Sequence, residues 1–297
     1  MKMKRSIGLR IFIISLVVFL TLQKAGVSAT NKLNQVGLQL WSVRQAMQED
    51  FKGTLIQIAN AGYDQIEFAG YYDHDPKEIR ALLDSLGLTA PAAHTGYDLL
   101  SGENLQKTIE AAKIIGHEYL IMPSLPRIQR SQSPDQRQEK HKGSRPYSYE
   151  DVKKIATIFN EIGKVCKDAG FKFAFHNHKH EFVEVDSSGV LMYDMLLQET
   201  DPELVDFEMD IGWAVAAGAD PLIYFKKYPG RFKLFHVKDM DDDNHSVVVG
   251  KGKIDFTSIF AQSKLAGVKY YIVEYEGRED PVSSVAQCVA YLKKMSF

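Results

Sequence analysis

The stretch AGFKFAFHNH, residues 169–178, contains the sequence pattern from which the fold class is predicted. A helix-like segment ends at Gly170, and a run rich in β-forming residues follows at once. Glycine readily takes the left-handed backbone conformation that closes a helix, so Gly170 marks a helix that gives way to a strand. The same pattern recurs at Gly62, Gly87, Gly116 and Gly267. The chain is therefore predicted to alternate helices with parallel strands.

Further β-rich runs at 36–40 (VGLQL), 205–209 (VDFEM) and 232–236 (FKLFH) bring the predicted strands to eight. Segments with helical periodicity separate the strands, at 51–60, 77–86, 105–115, 152–169, 191–199, 221–228, 256–265 and 282–295. Eight such units in about 265 residues have the size of a closed (β/α)8 TIM barrel, an α/β fold of one domain. A doubly wound open sheet is the alternative, but no GxGxxG or P-loop pattern follows any predicted strand.

Residues 1–29 are predicted to be a cleavable export signal. A basic start precedes the apolar run 11–22 (IFIISLVVFLTL), and small residues end at Ala29. The run is shorter than the roughly 20 residues that span a bilayer, so cleavage after Ala29 is favoured over retention as a membrane anchor. The barrel domain would then occupy residues 30–297 in the periplasm or another exported location, without membrane attachment.

One segment interrupts the alternation of helices and strands. Residues 126–148 are polar, contain proline and arginine, and are too long for an ordinary connection. The segment is predicted to be an inserted flap over the active site, with a disordered loop as the alternative.

Charge and cysteine content exclude several classes of protein. Without the five basic residues of the export signal, the chain has 31 basic and 38 acidic side chains, a net charge of −7. A nucleic-acid-binding protein needs a basic face, so this partner is excluded. Cys166 and Cys288 are too few for a disulfide framework and are predicted to be buried apolar residues. Oligomeric state has no signal in the sequence.

Ionisable side chains stand at the ends of four consecutive predicted strands. His176 follows the fifth, Asp210 the sixth, His236 ends the seventh and Glu274 the eighth. The carboxyl ends of barrel strands meet at one face, where the active sites of TIM barrels lie. Two imidazoles and two carboxylates suit one divalent ion such as Mn²⁺, Zn²⁺, Co²⁺ or Fe²⁺. Satisfied structural polar groups are the alternative.

The alternation of side chains separates the histidines of the fifth strand. His176 and His178 share one face with Ala174, and Phe173 and Phe175 lie on the other. The phenylalanines should face the helices, so His176 should point into the barrel. His178 lies farther out, within reach of a substrate, and His180 is predicted to be on the loop surface.

These motifs carry a family resemblance. The segments GLQLWSVR, IEFAG, AAHTGY, FHNHKHEF, MDIGW, FHVKD, GKGKIDF and VEYEG resemble those of the xylose isomerase-like superfamily of sugar isomerases and epimerases, over about residues 36–295. The resemblance implies a metal-binding (β/α)8 barrel with His176, Asp210, His236 and Glu274 as ligands. Many relatives, the ketose epimerases among them, have glutamate in place of His176, and the histidine resembles the inosose dehydratase branch.

A metal-bound sugar carbonyl makes the α proton acidic, and a base must then remove it. Glu181 stands where similar ketose epimerases carry a substrate-contacting glutamate, and His178 is basic enough at neutral pH. Lys238 would hold a hydroxyl or stabilise developing negative charge. For each of these catalytic candidates the alternative is an ordinary surface position.

Three further side chains are candidates for substrate binding. His94 ends the third strand and Glu67 lies in the second, so both are predicted to hold sugar hydroxyls. Trp41 follows the first strand and offers an apolar wall to a sugar ring. Structural hydrogen bonding and core packing are the alternatives.

Two polar motifs are predicted to be structural. The acidic cluster KDMDDDNH, with Asp239 and Asp241 to Asp243, lacks the glycine and the terminal glutamate of an EF-hand and is predicted to be a solvated loop. GKGKIDF precedes a helix instead of following a strand, which favours a turn capped by Asp255 over a phosphate loop.

The resulting hypothesis is a metal-dependent isomerase or epimerase that abstracts an α proton from a nonphosphorylated sugar or keto-sugar, a small-molecule substrate. A lyase, dehydratase or hydrolase of 3-keto-glycosides or inososes is the main alternative. A noncatalytic sugar-binding barrel is the second. A DNA-repair endonuclease of the same superfamily is disfavoured by the acidic charge.

Overall fold

A computed structural model describes residues 31–129, 147–186 and 189–297. Eight parallel strands close into a barrel in chain order, and the last strand pairs with the first. The barrel strands are β1 (Gly37–Gln39), β2 (Gln65–Phe68), β3 (Thr89–His94), β4 (Tyr119–Met122), β5 (Lys172–His176), β6 (Val205–Asp210), β7 (Phe232–Val237) and β10 (Tyr270–Val273). A short antiparallel ribbon of β8 (Asp239–Met240) and β9 (Ser246–Val247) lies between β7 and β10 in the chain. The predicted TIM barrel is confirmed, and the open-sheet alternative is wrong.

The helices are α1 (Arg44–Glu49), α2 (Phe51–Ala61), α3 (Pro76–Leu86), α4 (Asn104–Ile115), α5 (Tyr149–Asp168), α6 (Met192–Glu199), α7 (Ile211–Ala216), α8 (Pro221–Lys227), α9 (Phe256–Phe260), α10 (Ser263–Ala266) and α11 (Pro281–Leu292). Every predicted helical segment contains a helix, although the segment 256–265 divides into α9 and α10. The glycine pattern is confirmed as well, because φ is +105° at Gly62 and +87° at Gly170.

Two of the predictions made from the sequence concern residues outside the described ranges, wholly or in part. The predicted export signal, 1–29, lies outside the described part, as do residues 130–146 of the predicted flap. Among the described helices, none is long and apolar enough to span a membrane.

The strand alternation divides the core into two parts. Phe173 and Phe175 face outward and pack on Phe159 of α5, with ring centroids 5.7 and 4.8 Å away. The inward positions form a separate apolar layer that includes Ala92, Ala174, Leu234 and Ile272. Each of these four lies two residues before a polar residue of the same inward parity: His94, His176, His236 and Glu274. The apolar layer therefore lies inside the barrel directly below the polar groups.

The loop after β7 is organised around a buried carboxylate. Asp239 has no exposed surface, and its two oxygens accept hydrogen bonds from the backbone N–H groups of Met240, Gly250, Gly252 and Ile254. The prediction of a solvated loop is therefore wrong for Asp239, because the folded GKGKIDF turn encloses its side chain. The turn itself is confirmed, since Asp255 caps α9 by accepting a hydrogen bond from the Ser258 N–H.

Substitution of Asp239 is expected to destabilise the fold. Asp239→Ala leaves buried N–H donors without an acceptor, so the free energy of unfolding in urea should fall by about 3 kcal/mol. Asp243→Ala in the same loop is the control, because Asp243 is exposed and should change stability by no more than about 0.5 kcal/mol. Equal stability of the two variants would contradict the role of Asp239.

Candidate metal centre

The four residues predicted as ligands converge at the carboxyl face of the barrel. One ligand atom from each of His176, Asp210, His236 and Glu274 lies within 4.8 Å of the others. All four side chains are buried. The register explains the convergence, because Asp210 pairs with His236 across β6 and β7, and Glu274 directly follows β10, the other neighbour of β7.

Backbone and side-chain hydrogen bonds fix the position of Asp210. Its Oδ1 accepts a hydrogen bond from Trp213 N–H at 2.8 Å, which caps α7. The side chain of Asn177, next to His176 in the chain, accepts a hydrogen bond from the Asp210 backbone N–H (3.1 Å) and donates one to the Asp210 backbone carbonyl (3.2 Å). The second oxygen, Oδ2, has no hydrogen-bond partner in the described part of the chain and lies 3.0 Å from the Lys238 Nζ. One oxygen is therefore anchored and the other can accept a cation.

Each of the two candidate ligand histidines contacts a carboxylate outside the candidate ligand set. His236 Nε2 lies 2.7 Å from Glu67, and its Nδ1 faces the candidate ligand Glu274 at 3.0 Å. His176 Nδ1 lies 3.0 Å from Glu208, which leaves Nε2 for a metal. Carboxylates that contact ligating histidines in this way fix the ring orientation and the tautomer.

Glu208 is a site residue that the sequence analysis missed. It is fully buried and contacts His94 at 2.9 Å, His176 at 3.0 Å and His236 at 3.1 Å. The sequence contains a signal for it, because Glu208 and Asp210 are two residues apart in VDFEMD and therefore lie on the same, inward face of the strand. Gln39 was missed too, and its side chain donates a hydrogen bond of 2.5 Å to Glu67.

Electrostatics in this cluster follow from burial and pairing. Burial alone would lower the pKa of His94, but Glu67 and Glu208 outweigh it and raise the pKa to about 9. Burial, with repulsion from His236 and His94, lowers the pKa of His176, so this ring is neutral and able to bind a metal. Burial raises the pKa of Asp210 to about 6, although Lys238 acts in the opposite direction.

A cavity of about 530 Å³ opens next to the cluster. Its polar lining includes His94, His176, His178, Glu274 and Glu276, and its apolar lining includes Trp41, Leu99 and Pro123. The Trp41 side chain is 45% exposed, and the Arg44 guanidinium lies 4.5 Å from the centre of its ring. The structure thus brings Trp41 and His94 to the cavity, whereas Glu67 lies behind the wall against Gln39 and His236.

The three candidate catalytic residues have different surroundings. His178 lines the cavity, and burial together with the charge of Lys238 lowers its pKa despite the opposing charge of Glu181. Glu181 is buried, accepts a hydrogen bond from the His178 backbone N–H and contacts His180, and it is not among the residues that line the cavity. His180 is 61% exposed at the surface, as predicted. Lys238 is fully buried and contacts both Asp210 and Glu274.

The residues present fit a divalent cation. Two imidazoles and two carboxylates are donors that Zn²⁺, Mn²⁺, Co²⁺ and Fe²⁺ accept, and Asp210 Oδ2 is a buried oxygen that already faces a cation, the Lys238 ammonium at 3.0 Å. A second group of His94, His176, Glu208 and His236 also lies within 4.8 Å. Its carboxylate contacts all three imidazoles through Oε2, and the two groups share His176 and His236.

Fold and site together define a (β/α)8 barrel with a candidate metal centre at its carboxyl face. A family model described as xylose isomerase-like TIM barrel matches residues 55–295. The chain belongs to this family.

Named relatives are enzymes that act on sugar-like compounds. An inosose dehydratase from Lacticaseibacillus casei is 26% identical over 257 residues, which cover 79% of this chain and 84% of the relative. A structure of a sugar phosphate isomerase/epimerase from Parabacteroides distasonis has 28% identity and a TM-score of 0.72, and the match covers 91% of this chain and 97% of that one. A structure of an IolI protein with a bound zinc atom shares the fold at 14% identity, with a TM-score of 0.62 and coverage of 89% and 99%.

Proposed function

We propose that this protein is a divalent-metal-dependent enzyme that removes the proton α to the carbonyl group of a nonphosphorylated sugar or keto-sugar. The observation that carries the proposal is the convergence of His176, Asp210, His236 and Glu274 beside a cavity with His178 on its wall. The structure of the IolI protein, which has the same fold, contains a zinc atom and supports the presence of a metal ion here. The proposal includes Mn, Zn, Co and Fe as candidates for this ion.

Bound at these ligands, the ion supplies Lewis-acid polarisation of a substrate carbonyl and its neighbouring hydroxyl. His178 accepts the α proton, because its imidazole lines the cavity and its lowered pKa keeps it unprotonated at neutral pH. His94 reaches the same cavity in its protonated form and donates to a substrate hydroxyl. Trp41 and Leu99 cover the apolar face of the sugar ring.

Two outcomes follow from the same proton abstraction. Return of the proton to the other face, or to the adjacent carbon, gives an epimerase or isomerase, whereas expulsion of a β-leaving group gives a dehydratase or lyase. The names of the relatives support both outcomes equally, because one is a dehydratase and another an isomerase/epimerase.

The lining of the cavity favours a substrate without a phosphate group. Among the described residues that line it, none is lysine or arginine, the side chains that usually hold a phosphate. An exported protein beginning near Thr30 would meet nonphosphorylated sugars and glycosides, so the predicted export signal belongs to the same proposal.

Exchange with solvent deuterium tests the proposed function. The protein is incubated in D₂O with ketoses, inososes and 3-keto-glycosides, and the α-proton signal is followed by NMR. We expect loss of that signal with at least one substrate class, and loss of exchange after the metal is removed with a chelator. A new epimer or isomer identifies an isomerase, and an unsaturated product identifies a lyase. Exchange at an unchanged rate in metal-free protein would contradict the proposal, and binding without exchange would favour a noncatalytic sugar-binding barrel.

A further inference from the structure

A buried lysine stands between two of the candidate metal ligands. The Lys238 ammonium lies 3.0 Å from Asp210 Oδ2 and 2.9 Å from Glu274 Oε2, and its side chain has no exposed surface. The ammonium forms ion pairs with both carboxylates inside the protein, where neither partner is screened by solvent. The cation therefore contacts the same carboxylates that a metal ion would use.

A third carboxylate holds Lys238 from outside the ligand set. Glu276 Oε2 is 2.6 Å from Nζ, the shortest of the three contacts, and the Glu276 side chain is 31% exposed. The Glu276 backbone N–H donates a hydrogen bond to Ser246 of β9, which fixes the segment. Trp213 places its ring 4.7 Å from the same ammonium. Glu276 and Trp213 thus give the Lys238 ammonium a second set of contacts, next to the candidate metal site.

The first part of the Lys238 side chain is closely packed against α7. A Cβ atom at Gly212 would lie 2.7 Å from the Lys238 carbonyl oxygen and 2.8 Å from its Cγ, so α7 packs directly on the first part of the side chain. The ammonium beyond this stem contacts Glu276 and the Trp213 ring as well as Asp210 and Glu274, so Glu276 and Trp213 remain its partners if it leaves the other two.

We propose that Lys238 is an internal competitor for the metal ion, and that Glu276 sets the metal affinity by drawing the lysine charge away from Asp210 and Glu274. The inference rests on the metal site of the proposed function. Glu276 is thereby a positioning residue, since it acts on the site through Lys238 and is not a ligand.

The test measures metal affinity and requires no substrate. Zn²⁺ and Mn²⁺ dissociation constants are determined by competition with a chromophoric chelator for the wild type, Glu276→Gln, Lys238→Met and the double variant. We expect Glu276→Gln to weaken binding about tenfold and Lys238→Met to tighten it about tenfold. The double variant should match Lys238→Met, because Glu276 has no effect once the lysine charge is gone. Glu279→Gln, an exposed charge of the same segment, is the control and should bind like the wild type.

Other outcomes overturn the inference in distinguishable ways. If Glu276→Gln weakens metal binding equally in the wild type and in the Lys238→Met background, Glu276 acts on the metal by its own charge. Wild-type affinity in both single variants would show that the lysine does not compete. If Lys238→Met fails to fold, Lys238→Gln replaces it in the same cycle. Failure of the proposed function is separate, because then neither the wild type nor Glu274→Gln would bind a metal.

Discussion

Glu274→Gln is expected to lose the metal ion and to reduce kcat/KM by roughly 10³-fold or more, since Lewis-acid stabilisation contributes several kcal/mol. The substitution preserves the size of a buried side chain but removes a charged ligand oxygen. It also removes the carboxylate that faces His236 Nδ1 at 3.0 Å across the candidate site. Metal content is measured by mass spectrometry after dialysis, and rates with the substrate found by deuterium exchange.

Glu279→Gln is the matched control for this loss. Glu279 follows β10 in the same loop and is exposed, so the control removes an equal charge without touching the cluster. It should retain one metal ion per chain and the wild-type rate. A Glu274→Gln variant that binds the metal stoichiometrically would remove Glu274 from the ligand set and with it the proposed geometry.

His178→Gln is expected to lower kcat by about 10²- to 10⁴-fold while the metal content stays unchanged, the range for loss of a general base. His178 lies on the cavity wall beside His176, with ring centroids 4.9 Å apart, but it is not one of the four converging ligands. Loss of turnover without loss of metal therefore separates proton abstraction from metal binding.

Two further variants decide between the candidate bases. His180→Gln is the control, because His180 stacks on His178 at 5.4 Å but is exposed outside the cavity, and it should retain most of the activity. Glu181→Gln is expected to lower kcat less than His178→Gln, since Glu181 contacts the His178 backbone and does not line the cavity. A larger loss in Glu181→Gln than in His178→Gln would assign the base to Glu181.

Much of the site was predictable because parallel strands bring their carboxyl ends to one face of a barrel. That rule and the two-residue alternation placed His176, Asp210, His236 and Glu274 together, and the structure confirms their proximity. Glu208 obeys the same alternation and was missed because it lies one step deeper than the strand end. Asp239 was predicted wrongly because local composition does not show which carboxylate the following turn will enclose.

The barrel was predictable from the sequence, since glycine-terminated helices and alternating strands are local patterns that bury apolar residues in only a few ways. The contacts within the site, in contrast, arise only when the chain is folded. His236 contacts Glu67, which lies 169 positions away in the chain, across a closed barrel. Lys238 lies among Asp210, Glu274 and Glu276, which come from two different strand ends. Such contacts depend on strand stagger and barrel closure, and no short segment of sequence encodes either one.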